Sequence, residues 1–303
     1  MGVGLLLSGL ALASTGCLKQ LILEGQIAST RRAAAAVGTI GDYEVAERIA
    51  MAGLGQAEGM RYLAPTNEDA LFMLMRNWSS VSLGFMEDAM ERAEDEHGSV
   101  SPEFDYHRRR ARAAYERAIH YGSQILEAKH EGFAAAQKND QTIKEYLAKF
   151  DDAEVDAENL FSIGQAWLGR TGVSSEKGEV VGELFVGVAL LERSAELDPN
   201  YMYGTVHVAL GAYHARSQAE LPQAEERFQK ALALSDGKTL RPKVQYAVRV
   251  LCNKGDKEGY KKVLEEVMAA GDGDPYQRLA NTIAKRKAQR WLGSERMRQN
   301  CGF

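Results

Sequence analysis

The chain has 303 residues, of which 45% are hydrophobic and 26% are charged, which is the composition of an ordinary globular protein. Its 37 Lys and Arg against 42 Asp and Glu give a formal net charge of -5. A mildly acidic chain lacks a general attraction to phosphate backbones, so we expect no nucleic-acid binding. The 3 Cys exclude a disulfide-stapled scaffold, and their spacing matches no zinc site.

The first seventeen residues are typical of an export signal. The apolar run from Gly4 to Ala13 is too short to span a bilayer, which needs about 20 residues. Small residues lead from it to Cys17. This arrangement resembles a bacterial lipoprotein signal, in which the Cys is acylated and becomes the first mature residue. We therefore predict a signal peptide over 1–17 and lipidation at Cys17; the alternative is a plain signal peptide with a chance Cys.

An export signal predicts that the protein faces the oxidising periplasm. Cys252 and Cys301 are then either a disulfide pair or two inert thiols. Leu18, directly after Cys17, favours an anchor in the outer membrane, with the inner membrane left open. Residues 18–41 are predicted to form a tether with partial helical character, and residues 42–303 a single domain.

Beyond the tether the sequence carries helix signals and almost no strand signals. Ser101-Pro102 and Asp274-Pro275 each place a capping side chain before a Pro at the first position of a helix. Apolar residues recur at spacings of three and four, and alternation with a period of two is missing. The predicted fold class is all-α.

The helices also carry the spacing of tetratricopeptide repeats, in which small residues let two helices approach and large residues fill the gaps. Residues 160–167 match the first helix of such a repeat, with Gly164 and Trp167 at the marker positions. Residues 187–194 match the second helix, beginning at Gly187. The pattern recurs, in places more faintly, over 53–65, 71–78, 111–118, 207–231 and 244–268. We predict about four degenerate repeats and roughly 11–12 helices; the alternative is a generic helical bundle.

Stacked repeats leave one concave surface, where such arrays bind their ligands. First-helix residues just after the marker positions line that surface, which predicts a groove formed by Phe72, Arg76 and Ser79, by Phe161, Gln165 and Leu168, and by Val208, Ala212 and Ala215. The lining is largely apolar with a few polar groups, which suits a hydrophobic small ligand. The alternative is that these residues pack against a neighbouring helix.

Enzyme motifs are missing from the sequence, including H-E-x-x-H, G-x-S-x-G and a phosphate loop. His207 and His214 stand seven residues apart on one predicted helix face. They are interpreted as polar residues of the core or groove, because no nearby Cys or carboxylate completes a metal site. We predict no enzymatic activity, no metal and no cofactor.

Two basic clusters are interpreted mainly as solvated faces. In the first cluster, His107-Arg108-Arg109-Arg110 with Arg112, most arginines are expected to face solvent or to pair with the acidic run 94–96. The second cluster, Lys285-Arg286-Lys287 with Arg290, is placed on the final helix, where an acidic partner or lipid headgroups are the alternatives to solvent.

Several stretches in a fixed order carry a resemblance that extends over nearly the whole chain. They are Ile27-Ala28-Ser29-Thr30-Arg31, Gln56-Ala57-Glu58-Gly59, Tyr106-His107-Arg108-Arg109-Arg110-Ala111, Leu190-Leu191-Glu192-Arg193, Tyr203-Gly204-x2-His207-x2-Leu210-Gly211-x-Tyr213 and Asn281-Thr282-Ile283-Ala284-Lys285-Arg286. With the lipoprotein-like start, the chain resembles TatT, the family of tetratricopeptide-repeat lipoproteins that accompany tripartite ATP-independent periplasmic (TRAP) transporters.

The resemblance implies a lipid-anchored array of about four repeats that forms a homotrimer and docks the periplasmic substrate-binding protein of a TRAP transporter. It also implies a cavity that passes a hydrophobic ligand to that partner. We therefore predict an accessory protein that binds or relays an apolar organic acid or a similar small solute. The alternative is a lipoprotein scaffold for envelope assembly that binds proteins and no small ligand.

Overall fold

The computed structural model describes residues 18–303 with their side chains, and before them the helical backbone from residue 4. The predicted lipidation site, Cys17, lies outside the residues whose side chains are described. The structure is 82% helical and has no strand in the part of the chain that it describes. The prediction of an all-α fold is confirmed.

The α-helices follow one another through the whole described chain. In order they are α1 (Gly4–Ala33), α2 (Tyr43–Leu63), α3 (Glu68–Val81), α4 (Glu87–His97), α5 (Pro102–Lys129), α6 (Phe133–Ala136), α7 (Asp140–Leu147), α8 (Val155–Gly172), α9 (Gly178–Gly182), α10 (Leu184–Leu197), α11 (Tyr201–His214), α12 (Leu221–Ser235), α13 (Arg241–Tyr246), α14 (Cys252–Lys254), α15 (Lys257–Ala269), α16 (Arg278–Trp291) and α17 (Ser294–Cys301). Wider π-helical turns at Ser82–Met86 and Ala247–Leu251 connect α3 to α4 and α13 to α14.

The predicted repeat pair at 160–194 is the packed pair α8 and α10. Its two marker glycines lie where the helices touch: a Cβ on Gly164 would be 2.8 Å from Leu191 Cγ, and one on Gly187 would be 2.6 Å from Trp167 Cβ. The Ser194 hydroxyl donates across the same contact to a main-chain carbonyl of α8, at 2.8 Å. Small residues thus allow the close approach that the spacing predicted.

The same packing joins α11 to α12 and α3 to α5. A Cβ on Gly211 would lie 3.0 Å from the ring of Phe228, so this position also requires the smallest residue. On α5, the predicted apolar positions Ala111, Tyr115 and Ala118 are completely buried. Successive helix pairs therefore form one array, as the repeat pattern indicated.

The array closes on itself because α16 and α17 return to α4. The Arg290 guanidinium lies 2.7 Å from a carboxylate oxygen of Asp88 and 3.0 Å from one of Glu91. Lys287 bonds Glu91 at 2.7 Å, and the buried Arg296 bonds Asp95 at 2.6 Å. These contacts join residues about 200 positions apart in the chain.

This closure corrects the interpretation of the second basic cluster as a mainly solvated face, and its helix, α16, is followed by α17 and is not the final one. Arg286, Lys287 and Arg290 pair with the acidic side chains of α4 rather than with solvent, lipid or another protein. The cluster at the start of α5 does not reach 94–96: Arg108 and Arg112 pair with Glu176, while Arg109 and Arg110 are exposed to solvent as expected.

A disulfide links α17 to α14. Cys252 and Cys301, whose state the sequence left open, are bonded to each other. They lie beside an apolar cluster of α13 to α17 whose buried members include Tyr260, Leu264 and Val267. A disulfide agrees with an oxidising compartment.

The segment predicted as a tether contacts the body over its second half. Leu18, Leu21 and Ile22 are exposed, whereas Ile27 is completely buried and Arg31 forms an ion pair with Asp69 at 2.6 Å. No helix within residues 18–303 combines the length and the apolar character needed to cross a bilayer.

Candidate functional site

Side chains of α1, α3 and α11 converge on Glu158 of α8. Its carboxylate accepts a hydrogen bond from the Tyr201 hydroxyl at 2.8 Å and lies 3.1 Å from Arg31 and 3.5 Å from Arg76. Two arginines and a phenol thus share one partly buried carboxylate. Burial and the neighbouring Glu158 charge raise the pKa of Tyr201, so its hydroxyl stays protonated and donates.

A left-handed turn at the start of α11 positions Tyr201 and Tyr203. Met202, Tyr203 and Gly204 have φ values of 43°, 61° and 74° in succession, which is costly for residues with a Cβ. The turn directs the Tyr203 hydroxyl to Asp274 at 2.5 Å, while Tyr201 reaches Glu158. It therefore connects the centre of the array to the segment that precedes α16.

A second polar contact crosses from α8 to α13. The Arg241 guanidinium donates to the Gln165 side-chain oxygen at 3.1 Å and to the Thr205 hydroxyl at 3.4 Å. Burial lowers the pKa of Arg241, and the nearby acidic groups of Tyr115 and Glu87 raise it again in part. Arg241 thus remains a cation whose charge is largely removed from bulk water.

Arg249, on the same continuous helix as Arg241, has a related environment. Its surface is accessible to solvent, yet protein atoms surround it closely enough that burial lowers its pKa. Glu87 and Glu91 lie near enough to raise this pKa again in part. Within residues 18–303, neither Arg241 nor Arg249 has a carboxylate oxygen within 4.0 Å. We call the region defined by Glu158, Gln165, Arg241 and Arg249 the interior site.

The predicted groove residues divide between this site and the core. Arg76 and Gln165 belong to the polar contacts just described. Phe72 is buried with the Arg31 guanidinium 3.9 Å from its ring centre, and Phe161 is buried with the Tyr201 ring 5.5 Å away.

The remaining predicted lining residues lie in helix contacts. Leu168 packs on α10 close to Gly187. Val208 is 2% exposed and packs between α11 and α12 with Phe228, and Ala215 belongs to the same cluster. Ser79 is also buried. For Val208 the structure agrees with the alternative that the residue packs against a neighbouring helix.

The two histidines occupy different environments. His207 is buried, and burial together with Lys230 and Arg227 lowers its pKa to about 4, so it is neutral at pH 7. His214 is partly buried, and its Nδ1 lies 2.8 Å from a carboxylate oxygen of Glu220. They do not reach a common ligand, and no group of three potential metal ligands converges within the described residues.

Sequence reasoning missed Glu158, Arg241 and Arg249. The groove positions were taken from first-helix spacing, and Arg241 and Arg249 lie on a helix outside the strongest repeats. One signal was present: both arginines stand on one late helix without acidic residues three or four positions away. A helical arginine without a local carboxylate needs another partner or solvent.

The comparison with known families agrees with this architecture. The family described as TRAP transporter T-component matches residues 41–297, which is most of the chain. The chain belongs to the TRAP transporter T-component family. The T-component is a periplasmic-side part of the transporter, and the family is not one of enzymes. A search of curated proteins gave no match.

Proposed function

We propose that this T-component is a lipid-anchored periplasmic protein that binds a hydrophobic organic acid in its interior site and passes it to the substrate-binding protein of the transporter. The observation that carries this proposal is the pair Arg241 and Arg249: within residues 18–303 neither has a carboxylate oxygen within 4.0 Å, and Glu87 and Glu91 act on them only from a greater distance. A ligand carboxylate would supply the missing charge, since guanidinium groups bind carboxylates in a planar, bidentate way.

The apolar part of such a ligand has a complementary surface close by. The Arg31 guanidinium covers the ring of Phe72, and the Tyr201 ring packs against the ring of Phe161. Movement of the Arg31 and Tyr201 side chains would therefore expose aromatic surface beside the charged groups. Ligand sites commonly combine apolar walls with a few oriented polar groups. We further propose acylation at Cys17 and a homotrimer, both on the family resemblance.

Arg249→Glu is expected to abolish retention of a small acid, because it replaces the attracting charge by a repelling one. The chain is purified under mild conditions, its small molecules are extracted, and their acids are quantified by mass spectrometry. Arg109→Glu is the matched control, since Arg109 is exposed and its ion-pair partner within residues 18–303 is the neighbouring Asp105. We expect at least about a tenfold loss of bound acid for Arg249→Glu alone, the loss that corresponds to about 1.4 kcal/mol.

Two other results would contradict the proposal. Equal amounts of acid in both variants would remove the interior arginines from ligand binding. A wild-type protein that carries no acid, but still binds its envelope partners, would support the alternative scaffold role.

A further inference from the structure

A concave region lies between α2 and α5, outside the interior site. It encloses about 840 Å³ and is mostly apolar. One stripe of α2 lines this region, because its residues recur at spacings of three, one and three: Met51, Leu54, Gly55 and Glu58. The Trp78 ring of α3 lies at the base between the two helices. We call this region the α2–α5 groove.

The facing wall has the same helical spacing. Arg110, Ala113, Arg117 and His120 follow each other on α5 at intervals of three and four residues. From the first to the last they span about 15 Å, at 1.5 Å per residue. The groove is therefore an open furrow about three helical turns long, with helix stripes on both walls.

The floor leaves room for a guest. A Cβ on Gly55 would meet no atom within 4 Å, and Ala113 is exposed although it lies in the middle of α5. The flexible side chains of Met51 and Met86 complete the apolar part, and methionine is common at surfaces that adapt to a partner. Small and flexible residues together fit an inserted apolar side chain.

The charge of the groove is positive. Its one acid, Glu58, accepts hydrogen bonds from Arg117 at 2.7 Å, from Tyr121 at 2.7 Å and from Trp78 at 3.0 Å. Burial opposes ionisation of Glu58, but these three donors outweigh it and lower its pKa. The carboxylate is thus ionised and fully used by its own neighbours.

Arg110 is left without such compensation. Within residues 18–303 no carboxylate oxygen lies within 4.0 Å of it, and its contact is the Tyr106 ring, 5.6 Å away. The pKa of the neighbouring His107 is lowered by burial and by Arg110 and Arg92, as expected in a positive potential.

We propose that the α2–α5 groove binds an amphipathic helix of a partner protein, whose apolar residues enter the groove and whose acidic residues meet Arg110. Parallel stripes on two helices with an apolar floor are the usual receptor for a helix laid in a groove. The open, elongated shape favours a helix over an enclosed small molecule. This surface is separate from the interior site, so the inference does not depend on the proposed ligand.

The test uses the full chain in phosphatidylcholine nanodiscs and two labelled 16-residue synthetic helices. Both carry Leu at i, i+4, i+7 and i+11; one has Glu beside this stripe and the other has Lys. Fluorescence anisotropy measures their dissociation constants. We expect the acidic helix to bind at least about tenfold more tightly, with a preference that shrinks in high salt.

A pair of alanine variants tests the location. Ala113→Glu places a carboxylate in the groove, whereas Ala52→Glu places one on the solvent side of α2, at another exposed alanine. We expect the dissociation constant of the acidic helix to rise about tenfold for Ala113→Glu and to change by no more than about twofold for Ala52→Glu. Arg110→Ala should remove most of the preference for Glu over Lys. Circular dichroism checks that all three variants are folded.

Four outcomes would overturn the inference. The first is that neither helix binds, and the second is that both bind equally tightly. The third is that Ala113→Glu and Ala52→Glu weaken binding of the acidic helix equally. The fourth is that the groove binds dodecanoate or a second copy of the chain instead of a helix. Dodecanoate binding is measured by titration calorimetry and self-association by sedimentation, each with Ala113→Glu as the comparison.

Discussion

Gly169→Ala should lower the free energy of unfolding by about 3 kcal/mol. Gly169 lies on α8 directly over the ring of Tyr115, and a Cβ there would be 2.2 Å from Cζ and 2.4 Å from Cε1 of the ring. The ring cannot move away easily, because Tyr115 is completely buried and its hydroxyl donates to Glu87. A single methyl group would therefore separate α8 from α5.

Gly172→Ala, three residues further along the same helix, is the matched control. A Cβ at Gly172 would meet no atom within 4 Å, so this change should leave stability unchanged or raise it by up to about 1 kcal/mol. Urea denaturation followed by circular dichroism measures both. Similar unfolding midpoints for the two variants would show that α5 and α8 do not pack as described.

Glu91→Ala should destabilise the protein by about 3 kcal/mol, because it removes the counter-charge of Lys287 and one of the counter-charges of the buried Arg290, which keeps Asp88. Glu91 contacts Lys287 at 2.7 Å and Arg290 at 3.0 Å, and the Arg290 side chain is 10% exposed. The lost contacts are two of those that hold α16 on α4, where the contacts of Arg286 and Arg290 with Asp88 remain. Amide hydrogen exchange should therefore rise most strongly in α16 and α17, and denaturant unfolding gives the size of the effect.

An exposed ion pair provides the control for Glu91. Asp140 pairs with Lys144 at 2.9 Å while both side chains are more than half exposed, so Asp140→Ala should change stability by no more than about 1 kcal/mol. If Glu91→Ala has an equally small effect, or if exchange rises throughout the chain alike, α16 does not close the array through this contact.

The same group predicts how stability depends on pH. Burial alone would raise the pKa of Glu91, but Lys287, Arg290 and Arg296 outweigh it and lower the pKa to about 2, from an ordinary value of 4.5. Because the folded-state pKa is the lower one, this stabilisation is present above about pH 4.5 and is lost as the pH falls towards 2. The melting temperatures of the wild type and Glu91→Ala should therefore converge over that range.

The helical repeats could be predicted from the sequence because their contacts are local in the chain. Gly164, Gly187 and Gly211 stand at the marker positions, and each allows the approach of a helix close in sequence. Spacing reports such contacts directly, since a missing side chain at a helix crossing is visible in the sequence itself. The capping pattern at Ser101 likewise predicted the first residue of α5.

The closure of the array could not be predicted in the same way. Asp88, Glu91 and Asp95 form one stripe on α4, and Arg286 and Arg290 form a matching stripe on α16. One sequence shows that both stripes exist but not that they meet across about 200 residues. Without a partner in view, each stripe is typical of a solvated face.

The interior site was predicted only in part, for a related reason. First-helix spacing selected Arg76 and Gln165, which contact Glu158 and Arg241 in the structure. It gave no information on Arg241, because that residue reaches Gln165 only once the array curves back. The predicted apolar lining consequently lacks Arg241, which the closed fold places beside Gln165.

The most direct test of a ligand relay is a native mass spectrum of the full chain, recorded alone and with the substrate-binding protein of its transporter. If the interior site relays a ligand, the spectrum should show a trimer that carries a small acid in each subunit, forms a complex with the partner and loses the acid to it. Arg249→Glu should still form the complex but carry no acid. An empty trimer or monomer, or a bound acid that remains in Arg249→Glu, would contradict the relay through the interior site.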